Sequence, residues 1–275
     1  MPLLLISPTN AYATKRLQEE ALLANVELQS FDVADLAKQS FNINPSNFSL
    51  LYVRQAYPYF REVIDLAEKF KAAEKPVVDA GIAEGDLGLG KLITLQKLQA
   101  SGVSTPKTNF VSTLNQIDFK SPLIAKWNYG FGGKHTYLVK NPADLDSLTK
   151  KYPSEQLLLQ EFIPAEFEYK LITVGYKALP LIIKLKTNHN KFLPDFSKYE
   201  ILQLQNVPEV VSLAERAAKI LGRELAKVDI LEAGGKLYIL EVNRWPGLQT
   251  FEKLSGYNVA QAFITHLNNR ADVGL

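Results

Sequence analysis

Short apolar runs alternate with amphipathic stretches over the first 80 residues of the chain. Leu3 to Ile6 is uniformly apolar and reads as a buried strand. Tyr12 to Asn25 carries Leu17, Ala21 and Leu22 at helical spacing. Val26 to Phe31 alternates as a strand does, Leu50 to Val53 is a further strand, and Phe60 to Lys71 has a helical period. Pro76 to Asp79 is expected to add a fourth short strand. Strand and helix in turn predict a small parallel α/β unit. Its first strand is followed by Ser7-Pro8-Thr9-Asn10 and not by a glycine fingerprint, so a nucleotide would bind elsewhere.

Gly81, Gly85, Gly88 and Gly90 mark a boundary. Beyond it the pattern predicts a helix over Leu92 to Ala100 and a strand near Thr108 to Val111. Strands over Leu123 to Trp127 and Thr136 to Lys140 flank a glycine loop. Leu145 to Lys151 reads as helix and Leu157 to Phe162 as strand. Tyr169 to Val174 and Leu179 to Lys186 look antiparallel. Pro208 to Leu221 is a helix with proline in its first turn, two strands flank Gly234-Gly235, and a last helix covers Val259 to Asn268.

Charge and composition narrow the function classes. With 31 basic and 29 acidic residues among 275, the chain lacks the basic excess of an electrostatic nucleic-acid binder. The absence of cysteine removes disulfides, a thiol nucleophile and thiolate metal sites. The three histidines are scattered, which argues against a zinc site. No apolar stretch approaches membrane-spanning length, and the start lacks a basic signal-peptide region. A cytoplasmic location is expected.

The chemistry is concentrated in three segments. In Val228 to Asn243, Asp229, Glu241 and Asn243 interrupt an apolar hairpin. Glu241 and Asn243 share a strand face. A two-residue turn at Gly234-Gly235 would pair Asp229 with Leu240 and separate the two carboxylates. A three-residue loop, Gly234 to Lys236, would pair Asp229 with Glu241 and converge a hard-oxygen set suited to magnesium. The bland alternative is a hairpin whose acids face solvent. In Lys126 to His135, strand, glycine turn and strand follow one another; backbone N–H groups there can face phosphate oxygens, with Lys126 and Lys134 adding charge. Glycine hairpins are common, so this segment alone is weak. In Gln160 to Pro164 an apolar strand ends in a linker whose backbone could read an adenine edge, and Glu168 follows within reach of ribose hydroxyls.

In this order the segments resemble the ATP-grasp superfamily, in particular the ribosomal-protein glutamate ligase-like and glutathione synthetase-like carboxylate–amine ligases. The resemblance covers residues 76 to 270. It is carried by Gly90-Lys91-Leu92 through Thr105-Pro106-Lys107-Thr108, by Pro122 to Lys126 with its glycine loop, and by Gln160 to Ile163. Glu241-Val242-Asn243-Arg244-Trp245-Pro246-Gly247 and Ser255-Gly256-Tyr257-Asn258-Val259-Ala260 complete it.

The resemblance implies an α/β (α+β) ATP-grasp fold with a small N-terminal parallel α/β domain. The domains would be an N-terminal pre-ATP-grasp unit at 1–85, a lid or central subdomain at 86–165, and a C-terminal subdomain with the metal site at 166–275. It implies ATP and magnesium (or manganese) as cofactors. Lys91, Lys126, Gly130, Gly132, Gly133, Lys134, Glu161, Phe162, Ile163 and Glu168 would bind nucleotide. Asp229, Glu241 and Asn243 would hold one or two metal ions, and Lys184 or Lys186 would lie near the γ-phosphate. The reaction would pass through an acylphosphate and join a carboxylate to an amine, with release of ADP and phosphate. The partners would be small-molecule or peptide carboxylates and amines, with no nucleic acid or membrane and with room for a homo-oligomer. A peptide-modifying ligase making amide or ester links and a non-catalytic ATP-binding regulator are the alternatives.

Two departures stand out. Trp245 replaces the small residue usual before Pro-Gly, and Arg244 beside it is a candidate carboxylate clamp. The segment Lys186 to Lys198, with His189, lacks the basic glycine-paired pattern of the glutamate ligases, so glutamate as substrate is not implied.

Overall fold

The computed structural model describes residues 1–38, 42–86, 90–114, 116–119, 121–130, 135–187 and 196–272. Its strands form three sheets. The first holds β1 (Leu3–Ile6), β2 (Leu28–Phe31) and β3 (Leu50–Val53), all parallel in the order β2-β1-β3, with α1 (Tyr12–Leu23) and α2 (Phe60–Ala72) on its faces. All four β1 side chains are buried. Leu3 and Leu5 pack towards α1, while Leu4 and Ile6 pack towards Val63 and Phe70 of α2. Burial on both faces is why the strand carries no polar alternation.

The expected fourth strand does not form. Pro76 and Val78 each make one hydrogen bond to Leu51, leaving a single bridge between Leu51 and Val77. Pairing stops because the chain turns sharply at Asp79, which has φ 57°. The Asp79 carboxylate is drawn into the C-terminal part of the molecule, accepting the Glu224 N–H at 2.6 Å and lying 2.8 Å from Arg244 Nε.

The second sheet is antiparallel, in the order β4-β7-β5-β6. It comprises β4 (Thr108–Phe110), β5 (Leu123–Trp127), β6 (Thr136–Val139) and β7 (Leu157–Glu161). Ahead of it runs α3 (Lys91–Ala100); α4 (Pro142–Thr149) covers it through Leu145 and Leu148. The helix α4 begins three residues before the first periodic leucine, because the Asn141 side chain caps Asp144 N–H and Pro142 occupies the first turn.

The third sheet, six-stranded, holds β8 (Phe167–Val174), β9 (Lys177–Ala178), β10 (Leu181–Lys186), β11 (Tyr199–Gln203), β12 (Leu225–Ala233) and β13 (Lys236–Asn243). Its main path is β11-β10-β8-β12-β13. One face packs through Leu171, Val228 and Ile230 on α5 (Pro208–Ile220). The other packs through Ile172, Ile183 and Leu225 on α6 (Leu248–Ser255), α7 (Val259–Asp272) and the N-terminal unit. The edge strand β11 and the helix α6 were not expected. The first is exposed and lacks apolar alternation; the second buries only Leu248 and Phe251. No helix among the described residues is long and apolar enough to cross a membrane.

Asp79 and Arg244 are both nearly fully buried and tie the N-terminal unit to the end of β13. Burial pushes the Asp79 carboxyl up to about 6, against the pull of Arg244. Replacing Arg244 by methionine leaves Asp79 buried without its counter-charge. We expect urea unfolding at pH 8 to show a loss of about 3–5 kcal/mol. The loss is smaller at pH 5, where Asp79 is protonated in both proteins.

Candidate active site

The hairpin of β12 and β13 brings the two carboxylates together by a route intermediate between the two expected. Gly234 and Gly235, at φ 55° and 71°, make a two-residue turn, and Ala233 pairs with Lys236. The regular ladder continues to Ile230 opposite Ile239. There a β-bulge takes up Leu240, so that Asp229 faces Glu241 and Lys227 faces Asn243. One extra residue returns both acids to the same face. On the neighbouring strand Lys170 lies opposite Asp229, and Glu168 opposite Leu231.

These side chains line a cleft of about 800 Å³ between the second and third sheets. Lys91, Lys126 and Gly130 enter it from the α3 and β5 side; Glu161, Phe162 and Ile163, which link the two sheets, close the far end. Trp245, Thr250 and Phe251 lie at the opposite end. The N–H of Ile163 makes no hydrogen bond among the described residues.

Local geometry fixes Lys91. The Asn128 backbone O accepts Lys91 N–H, and its side-chain Oδ1 accepts Leu92 N–H, both at 3.2 Å, so Asn128 caps the start of α3. Gly90, at φ 94°, leaves room for this, since a Cβ there would sit 2.8 Å from Asn128 Nδ2. Lys91 Nζ reaches Glu241 Oε1 at 2.6 Å.

The remaining charges interlock. Lys170, buried, donates to Glu168 Oε1 and lies 3.5 Å from Asp229 Oδ1. Lys227 Nζ lies 3.1 Å from Asp229 Oδ2. Burial alone would raise the Glu241 carboxyl, but Lys91, Lys227 and Lys126 override it and hold it down to about 2. Burial disfavours charge on Lys170, yet Asp229 and Glu168 hold it above the ordinary lysine range. Lys126 has no ion pair within 4 Å among the described residues, and burial pushes it down to about 8.

Glu241 and Asn243 are hard-oxygen donors two residues apart on a strand face that opens to the cleft, a set that fits a magnesium-class ion. Among the described residues no group of three His, Cys, Asp or Glu side chains is placed to hold a metal, so an ion here would draw on the amide oxygen of Asn243 as well as on Glu241.

A family model described as the RimK-like ATP-grasp domain matches residues 89–267. The chain belongs to that family. It is 28% identical over 192 residues to a probable alpha-L-glutamate ligase of Histophilus somni (strain 2336), covering 66% of this chain and 63% of that protein. The chain thus spans less than two-thirds of the length of that relative. A probable alpha-L-glutamate ligase of Vibrio atlanticus (strain LGP32) is 25% identical over 285 residues, 95% of this chain and 93% of the relative. Among solved structures, the ATP-grasp ligase PsnB complexed with minimal precursor, Mg and ADP aligns with a TM-score of 0.72 at 14% identity, over 98% of this chain and 97% of that one. The D-alanine–D-alanine ligase of Bacillus anthracis complexed with ATP aligns at 0.67 and 16% identity, over 99% of both chains. These likenesses show an ATP-grasp fold of mixed α and β structure.

Within this ATP-grasp cleft the expected residues divide. Lys91, Lys126, Gly130, Glu161, Phe162, Ile163, Glu168, Lys186, Asp229, Glu241 and Asn243 line it. Gly132, Gly133, Lys134 and His189 lie outside the described residues. Lys184 does not enter: its register partner is Tyr169, on the other face of the sheet, and its Nζ sits 3.8 Å from the centre of the Phe167 ring and 3.9 Å from Glu200. Arg244 also turns away, towards Asp79 and the Asp86 carbonyl, because alternation puts it on the face opposite Asn243.

Lys170 and Lys227 were missed. The signal was present in period two: Glu168 and Lys170 share a face, as do Lys227 and Asp229, by the same rule that joined Glu241 to Asn243.

Lys126 supplies a direct check on this electrostatic picture. Carbon-13 NMR of ε-labelled lysines is expected to show one resonance, absent in Lys126→Met, that titrates near pH 8. A midpoint at the ordinary lysine value of about 10.4 would contradict its enclosure.

Proposed function

We propose that this protein is a magnesium- and ATP-dependent carboxylate–amine ligase. The observation that carries the reading is the convergence in one cleft of Lys91, Lys126 and Lys170 with Glu241 and Asn243, beside a linker with a backbone N–H that has no partner among the described residues. In this reading Glu161 to Ile163 bind adenine through backbone groups. Glu168, held by Lys170 through one oxygen, offers the other to the ribose.

Phosphoryl transfer needs positioning and charge neutralisation more than a covalent residue. Lys91, Lys126 and Lys170 would supply the neutralising charge, with Lys170 in the interior place expected of Lys184. Lys186 stands at the mouth. A divalent ion on Glu241 and Asn243, with Asp229 behind them, would screen the phosphates. The γ-phosphoryl group would pass from ATP to a substrate carboxylate oxygen, giving ADP and an acylphosphate. An amine nitrogen then attacks the acyl carbon, the C–O bond to phosphate breaks, and an amide and phosphate leave. Keeping water from the acylphosphate calls for closure of the β5–β6 side over the cleft.

The names of the Histophilus somni and Vibrio atlanticus relatives support an amino-acid carboxylate or amine as substrate. A second reading, a peptide as substrate, is favoured by the exposed mouth, where Lys186 lines the cleft beside the open edge of β11 with Tyr199 and Ile201 exposed.

The test is coupled measurement of ADP release against panels of carboxylates, amines and acidic peptides. Release should require ATP, a divalent ion and both co-substrates, and Glu241→Gln should lower it by roughly 100-fold or more. Magnesium-dependent thermal stabilisation by ATP should accompany it. Stabilisation without turnover on any panel would point to the non-catalytic ATP-binding reading, and no stabilisation would overturn both.

A further inference from the structure

Of the three residues expected to hold metal, Asp229 has an ammonium group beside each carboxylate oxygen: Lys227 lies 3.1 Å from Oδ2, and Lys170 lies 3.5 Å from Oδ1, which accepts no hydrogen bond among the described residues. Its side chain is 6% exposed, against 34% for Glu241. Glu241 and Asn243 present their oxygens to the cleft from the strand opposite. Lys227 pairs with Asn243 in the ladder, on the side of Asp229 away from the adenine linker and towards Trp245. It lines the cleft and keeps a quarter of its side chain exposed.

The charge balance points the same way. Among the described residues, Lys91, Lys126, Lys170, Lys186 and Lys227 line the cleft against Glu161, Glu168, Asp229 and Glu241. The protein thus contributes more positive than negative charge before any ion binds. A fixed ammonium beside a buried carboxylate does two things. It neutralises that carboxylate without the dehydration a divalent ion requires, and it repels a divalent ion from the same oxygen.

On the reading of this cleft as a magnesium–nucleotide site, we propose that Lys227 takes the place of a second divalent ion. The site then holds a single ion, on Glu241 and Asn243. Asp229 is a positioning residue: it anchors Lys170 and Lys227 and is not a metal ligand. Lys227 carries the positive charge to the acceptor end of the cleft, between the metal residues and Trp245.

Bound Mn²⁺ is counted by loss of the free-ion EPR signal, with AMPPNP equimolar to the protein. The wild type is expected to take up one ion per chain, and so is Lys227→Arg. Lys227→Met is expected to take up two, because loss of the ammonium opens Asp229 Oδ2 and Asn243 to a second ion. A merely structural role for Lys227 would change stability but not this count. Two ions in the wild type, or a folded Lys227→Met that still binds one, overturns the proposal and leaves the nucleotide reading standing. If Lys227→Met does not fold, the wild-type count decides alone. Failure of the wild type to bind AMPPNP in calorimetric titration overturns the nucleotide reading itself, and the proposal with it.

Discussion

Carboxylates are costly to bury, and this molecule buries Asp229 and Glu168 in the middle of a sheet. What makes that tolerable is the ammonium group of Lys170, which sits between them on the central strand β8. Lys227 and Lys91 extend the same compensation to the second oxygen of Asp229 and to Glu241. Carboxylates that would unfold a core if left single are held here because each has an ammonium partner, two residues along its own strand, on the neighbouring strand or at a helix start. The cleft is therefore preorganised: its cations are already placed by pairing with carboxylates, and an anionic ligand meets them without first ordering flexible side chains.

The rest of the architecture keeps that arrangement in register. The bulge at Leu240 returns Glu241 to the face of Asp229; without it the two acids would lie on opposite sides of the sheet. Asn128 and Gly90 aim the first turn of α3 so that Lys91 meets Glu241 across the cleft. At the other end, Asp79 and Arg244 clamp the N-terminal unit against the end of β13. Arg54 adds to that junction by donating to the Pro246 carbonyl at 2.6 Å. That end of the cleft is thus bounded by the turn that follows Glu241 and Asn243. Trp245 lines it there while packing against the core of the first unit.

Element existence was legible from pattern alone wherever apolar residues repeated strongly. Leu3–Ile6, Leu50–Val53 and Leu123–Trp127 fall where the runs place them. The readings that failed did so for tertiary reasons. Pro76 to Asp79 has strand composition, but Asp79 is pulled out of the sheet by a partner more than 140 residues away in the chain. Arg244 looks like a clamp next to Asn243, and alternation sends it to the other face. Lys184 looks cationic and well spaced, and the register of β10 against β8 sends it outward.

By itself the sequence determined which side chains were available: two acids and an amide in one hairpin, lysines at the heads of particular segments, and no thiol or histidine cluster to compete with them. Those are matters of composition and short-range spacing; the resemblance of the ordered motifs to the ATP-grasp superfamily is what pointed to the family. Which face each side chain takes was decided only in three dimensions. A strand's side chains reverse direction with every single-residue shift in register. One bulge, one sharp turn and one pairing between strands far apart in the chain therefore settled which charges meet in the cleft and which are turned away from it.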